Sequence, residues 1–136
     1  MISLIHLVFT SIMVGIIWVI QLVHYPSFHF IRKDIYVSFQ KLHTDKIAII
    51  VAPVMLIELI TGILLIYMET NINIVLIVSL VILLAIWILT AIYFYKAHQN
   101  LMSGYNKEII NQLIKLNWIR TVLWTFRLIL FFIYFV

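Results

Sequence analysis

The sequence predicts an all-α integral membrane protein: one transmembrane domain over residues 1–136, built as a four-helix up-and-down bundle with an amphipathic interfacial helix between helices 1 and 2. Three observations carry that expectation. Hydrophobic residues make up 65% of the chain and charged residues 10%, against roughly half and a quarter in a soluble domain. A chain of 136 residues cannot hide so much apolar surface in one water-soluble core, so the bilayer is part of its solvent. The apolar residues also fall into four runs, each long enough to cross a hydrocarbon core of ~30 Å at about 1.5 Å per residue.

The runs span Ile2 to His24, Ile47 to Met68, Asn73 to His98 and Leu116 to Val136. An amphipathic lead-in from Lys107 lengthens the last, so the helices are expected over about 2–24, 47–68, 73–98 and 109–135. Backbone polar groups inside lipid must be satisfied within the segment, which selects helices over open strands. The alternation of a membrane barrel is missing. The first run has no basic residues before it, is too long for a signal-peptide core and has no small-residue cleavage site after it, so it reads as a retained helix. In the 27–45 segment, Phe28, Ile31, Ile35, Phe39 and Leu42 recur at helical spacing, with Arg32, Lys33, Asp34, Gln40 and Lys41 off that stripe. This pattern suits a helix lying on the membrane surface; a polar loop is the alternative. Pro53 and, beyond it, Thr61-Gly62 mark the second run for a kink, and Gly15 marks the first for close helix approach.

Nine Lys and Arg against five Asp and Glu give a formal charge of +4. Arg32, Lys33, Lys41 and Lys46 lie between the first two helices and Lys96, Lys107 and Lys115 around the junction of the last two, while Glu69–Ile72 has none. The positive-inside rule then places both termini outside the cytoplasm, across a bacterial inner membrane. No basic patch on a folded polar face remains for nucleic acid. The expected partner is the lipid bilayer, with a membrane electron acceptor and a second copy of the chain as further candidates. The absence of cysteine excludes disulfides, iron–sulfur clusters and thiolate chemistry.

Ionisable residues at membrane depth are costly and need a partner or a task. Glu58 lies ten residues before Met68, and Arg127 nine before Val136. Both helices run the same way, so both side chains sit roughly 15 Å below one surface and can pair. Such a pair either pins two helices or holds a ligand's carboxylate. His6, near the outer end of helix 1, can snorkel, hydrogen-bond in the core, or ligate a metal or haem iron. Asn117, Arg120, Trp124 and Arg127 share one face of helix 4, flanked by Thr121 and Thr125. Guanidinium groups there can grip carboxylates and stack on flat rings, or Arg120 can snorkel to the interface. His24, His29, His43 and His98, with Gln21 nearby, gather toward the cytoplasmic side. They are candidates for Zn or Cu, although their spacings match no compact ligand motif. Trp18, Trp87, Trp118, Tyr67, Tyr93 and Tyr95 read as an interfacial aromatic belt.

Several of these residues resemble a known family. His6, Gly15 nine positions on, Trp18 and Gln21 resemble the first helix of the HemJ-type family of small membrane proteins. The 52–65 segment APVMLIELITGILL resembles its Pro-Met…Thr-Gly stretch, Trp87 and His98 its Trp…His pattern, and Asn117 with NWIRT its last helix. Gln21 stands where that family carries a basic residue, and Glu58 and Arg127 are additional charges. The resemblance implies a haem-b-binding four-helix bundle, with protoporphyrinogen IX oxidase activity in true members, His6 as haem ligand and His98 as a second functional residue.

The leading expectation is therefore a membrane redox protein that binds haem b or a similar flat, anionic cofactor in a dry bundle interior. In it, His6 is the axial ligand. Gln21, His98, Asn117 and Trp124 line the cofactor, and Arg120, Arg127 and Glu58 neutralise carboxylates or relay protons. A non-enzymatic transport or accessory subunit and a histidine-ligated metal-dependent oxygenase are the alternatives.

Overall fold

The computed structural model describes the backbone of residues 1–135 and the side chains of residues 1–134; the last position of the fourth apolar run, Val136, lies outside the described residues. Four long helices make up the fold: α1 (Ile2–Phe30), α2 (Tyr36–Met68), α3 (Ile74–Leu101) and α4 (Lys107–Phe135). All four are long and apolar enough to cross a membrane, and there is no strand among the described residues. The chain is an integral membrane protein by that measure. Successive helices run antiparallel because their links are short. α1 packs on α2 and α4, and α3 on α4 and α2, so the helices form a ring in chain order. The termini and the 69–73 link lie at one end, the terminal side. The 31–35 and 102–106 links lie at the other, basic side.

The helix boundaries follow from local chemistry. Asn73 starts α3 by accepting hydrogen bonds from the backbone N–H groups of Val75 and Leu76, at 3.0 and 3.3 Å. Asn106 does the same for α4 toward Glu108 and Ile109, satisfying donors that a helix start leaves free. Gly104, at φ 138°, supplies the left-handed residue that turns the chain between α3 and α4.

Each helix buries one stripe and leaves the rest to lipid. On α1 the buried stripe is His6, Thr10, Met13 and Ile17, spaced at about 3.6 residues. Met13, Ile17, Met55, Ile86 and Trp124 form the apolar mid-layer. It separates a small terminal-side cluster of Leu65, Leu76 and Phe131 from a larger basic-side one around Ile20, Tyr25, Phe28, Phe94 and Leu113.

Two expectations need correction here. The interfacial helix over 27–45 does not form as a separate element: α1 runs through Phe30, and the segment from Tyr36 onward is the first turns of α2. The apolar stripe that suggested a surface helix instead closes the basic end of the bundle, with Phe28 and Tyr36 fully buried. At 33 residues, α2 is about 50 Å long, so its basic-side turns, with Lys41, Asp45 and Lys46, stand beyond a ~30 Å hydrocarbon core. Gly15 marks no close approach, since a Cβ there would meet nothing within 4 Å; that role belongs to Gly62, where it would come within 3.3 Å of His6 Cε1. Pro53 stays within one continuous helix.

Two turns widen to π geometry at the same level of the bundle: Ile20–His24 in α1 and Thr90–Phe94 in α3. In α1, Pro26 lacks the N–H that would bond the Leu22 carbonyl. In α3, the Thr90 hydroxyl donates to the Ile86 carbonyl at 2.7 Å, which loosens the backbone ladder there. Each π turn adds a residue and rotates the rest of its helix about the axis; such turns concentrate at functional sites.

Candidate functional site

Polar side chains meet inside the bundle in two layers. The terminal-side layer draws on all four helices. Arg127 of α4 donates from Nη1 to Glu58 Oε1 of α2 at 2.8 Å. Its Nε donates to the Ser79 carbonyl of α3 at 3.1 Å, and its Nη2 lies 3.4 Å from His6 Nε2 of α1. Trp124 Nε1 donates to the second Glu58 oxygen at 3.1 Å. His6 Nδ1 is 2.8 Å from Thr61 Oγ1, and the His6 ring packs on Phe131 at 4.9 Å. Glu58 is 0% and Arg127 1% exposed. Both carboxylate oxygens, all three guanidinium nitrogens and both imidazole nitrogens therefore have partners. A charge pair in lipid persists only when its remaining hydrogen-bonding capacity is met, and here it is met from four helices at once.

The depth-based pairing of Glu58 with Arg127 is present. The approach of His6 to Thr61 depends on Gly62, because any side chain at that position crowds the imidazole. Gly62→Ala is expected to lower stability by about 1–3 kcal/mol, and Thr61→Val by about 1 kcal/mol through loss of one buried hydrogen bond. Reversible unfolding in mixed micelles checks both; a neutral Gly62→Ala variant would contradict this packing.

The basic-side layer is arranged differently. Gln21 of α1 donates from Nε2 to the Ile114 carbonyl at 3.2 Å and accepts from Asn117 Nδ2 at 3.0 Å. Asn117 in turn accepts from Arg120 Nη1 at 3.2 Å. The Arg120 guanidinium lies over the Phe94 ring at 4.3 Å and the Trp124 ring at 5.2 Å, beside the Tyr25 hydroxyl. Tyr25 reaches His98 Nε2 at 3.2 Å, and Gln40 reaches His98 Nδ1 at 2.9 Å. His43 stands next to His98, ring centroids 5.1 Å apart, and His24 Nε2 is 2.6 Å from His43 Nδ1.

This layer is less completely paired. Arg120 is 4% exposed, yet the ion pairs among the described residues are only Arg127–Glu58 and Arg32–Asp34. Arg120 is thus a buried cation without a carboxylate. Its Nε has no hydrogen-bond partner, and neither do Gln40 Oε1, His43 Nε2 and the Tyr36 hydroxyl. Buried polar atoms are rarely left so, and an unpaired buried charge costs more than a neutral group. Those four atoms leave the layer with unmet donor and acceptor capacity beside a cation that no carboxylate offsets.

The residues singled out from sequence divide between the layers. Glu58, Arg127, His6 and part of Trp124 belong to the fully paired one; Arg120, Asn117, Gln21 and His98 belong to the less completely paired one. Of the four histidines, His24, His43 and His98 come together. His29 turns away to Tyr105 and Asn111, at 3.3 and 3.0 Å, so it does not share a stripe with His43. Among the described residues no group of three or more His, Asp or Glu side chains is placed to hold a metal ion. Tyr25, Gln40, Thr61 and the Ser79 carbonyl were missed in the sequence; only the Thr-Gly pair at 61–62 carried a signal. No family model, curated protein or solved structure matches this chain.

Proposed function

We propose that the chain is a membrane redox protein of the bacterial inner membrane, with both termini outside the cytoplasm, that holds a flat, anionic, lipid-soluble cofactor or substrate in the basic-side layer. The observation that carries this reading is Arg120: a guanidinium buried between two aromatic rings, without a counter-charge. Such a group recognises a planar ligand with a carboxylate or an ionised oxygen, by charge and by stacking. Gln40 Oε1, His43 Nε2 and the Tyr36 hydroxyl, unpartnered in the same layer, supply hydrogen bonds around it.

Haem b, the cofactor the resemblance implies, fits this layer in one respect: Arg120 suits a propionate. It does not fit His6. Both ring nitrogens of His6 are engaged, and the cavity beside it, lined by Gly62, Leu65, Leu76, Ser79, Leu80 and Arg127, is only about 10 Å³. Enclosed sites for ligands of even drug size run to ~300–1,000 Å³. No chemical step is therefore assigned to iron at His6, and Glu58 and Arg127 serve as the lock that holds the four helices in register.

Absorption spectra of purified protein, oxidised and reduced, test the reading. The expected result is a chromophore that Arg120→Met removes and His6→Ala leaves in place. A colourless preparation from which no acidic, planar compound can be extracted would contradict it and favour a non-enzymatic accessory or transport subunit.

A further inference from the structure

We infer that His24 and His43 form a proton relay leading from the basic-side membrane surface into the Arg120 layer; the inference rests on the reading of that layer only for what the proton is delivered to. His24 Nε2 and His43 Nδ1 stand 2.6 Å apart. Two neutral imidazoles at that distance share one proton, one ring donating and the other accepting. If His24 donates, His43 carries its own proton on Nε2. If His43 donates from Nδ1, its Nε2 is bare. One proton taken up at His24 Nδ1, the shared proton passed from His24 Nε2 to His43 Nδ1, and one proton released from His43 Nε2 to a water molecule or, with the ligand bound, to its ionised oxygen converts between these arrangements. One proton enters and one leaves, and both rings end neutral.

The two ends are placed for this traffic. The His24 ring is partly exposed, at the end of the α1 π turn. His43 is 6% exposed, and its Nε2 is enclosed without a hydrogen-bond partner. For a purely structural imidazole, that unpartnered atom is a cost; for a relay it is the exit. Beyond it lie His98, 5.1 Å away between ring centroids, and Tyr25, 3.2 Å from His98, with Arg120 behind them. These are the titratable groups that face the pair. The Phe28 and Phe39 rings pack against His43 at 5.0 and 6.5 Å, and Phe28 also against His24 at 5.3 Å, walling the pair with apolar surface.

The test is ring N–H exchange with D2O, measured by NMR on ¹⁵N-histidine-labelled full-length protein in lipid nanodiscs. Glutamine at position 24 preserves a hydrogen bond to His43 but cannot take a proton on one atom and release it from another. His24→Gln is therefore expected to slow exchange at His43 by on the order of a hundredfold, while His29→Gln leaves it unchanged. An unchanged rate in His24→Gln overturns the relay and makes the contact structural. Should that variant fail to fold, the wild-type spectrum decides. A coupling across the shared hydrogen bond with both His43 tautomers in exchange supports the relay, and a single fixed tautomer overturns it. The measurement needs no cofactor, so its failure is distinct from the absence of one.

Discussion

Glu58→Ala is expected to destabilise the bundle by about 3–5 kcal/mol, the largest loss for any single polar substitution in the chain. The cost is not the value of the ion pair itself. Removing the carboxylate leaves the Arg127 guanidinium uncompensated at membrane depth, and it strips Trp124 Nε1 of its acceptor. The same logic makes the pair replaceable as a unit. Glu58→Leu combined with Arg127→Met removes both charges together and should recover most of the loss, so the two positions will be strongly non-additive. Reversible unfolding of the wild type, the single variants and the double variant in mixed micelles gives the coupling directly. If Glu58→Ala cost less than about 1 kcal/mol, the terminal-side layer would not lock the four helices together.

The opposite sign is expected at Arg120. Methionine there keeps a long, flexible stem and removes a buried charge that no carboxylate offsets. An arginine at the centre of a membrane helix costs roughly 2.5–3.5 kcal/mol, part of which the Phe94 and Trp124 faces and the Asn117 oxygen return. Arg120→Met should therefore raise the stability of ligand-free protein by about 1–2 kcal/mol, a gain a natural sequence forgoes when the charge has a use. A destabilised variant would mean that Arg120 is already satisfied by its protein neighbours.

The contrast between these two arginines was partly legible in the sequence. Asn117, Arg120, Trp124 and Arg127 share a helix face whatever the neighbours do, and all four are buried. Glu58 and Arg127 lie ten and nine residues from the same ends of parallel helices, so their meeting followed from depth alone. What depth cannot give is rotation about the helix axis, and so the contact of His6 with Thr61 was not legible. The gathering of the histidines on the basic side was legible, but the direct contact of His24, His43 and His98 without His29 was not. That contact needs two π turns that displace a straight 3.6-residue reading, and it needs the first turns of α2 to belong to the bundle. The amphipathic pattern over 27–45 pointed elsewhere because a bundle end wrapped in headgroups and a helix on the membrane surface present the same alternation of apolar and charged residues.

The uncompensated charge of Arg120 calls for an anion, and binding of a simple probe tests that most directly. The probe is 1-hydroxy-2-naphthoate, a planar aromatic carboxylate, with its neutral methyl ester as control, titrated into protein in lipid nanodiscs and followed by quenching of tryptophan fluorescence. Trp124 borders Arg120 and should report occupancy. The acid is expected to bind wild-type protein at least tenfold more tightly than the ester, and Arg120→Met to erase that preference, since a hydrogen bond to a charged group contributes about 1.5–3 kcal/mol. Equal binding of acid and ester by the wild type, or a preference that survives in Arg120→Met, would contradict the assignment.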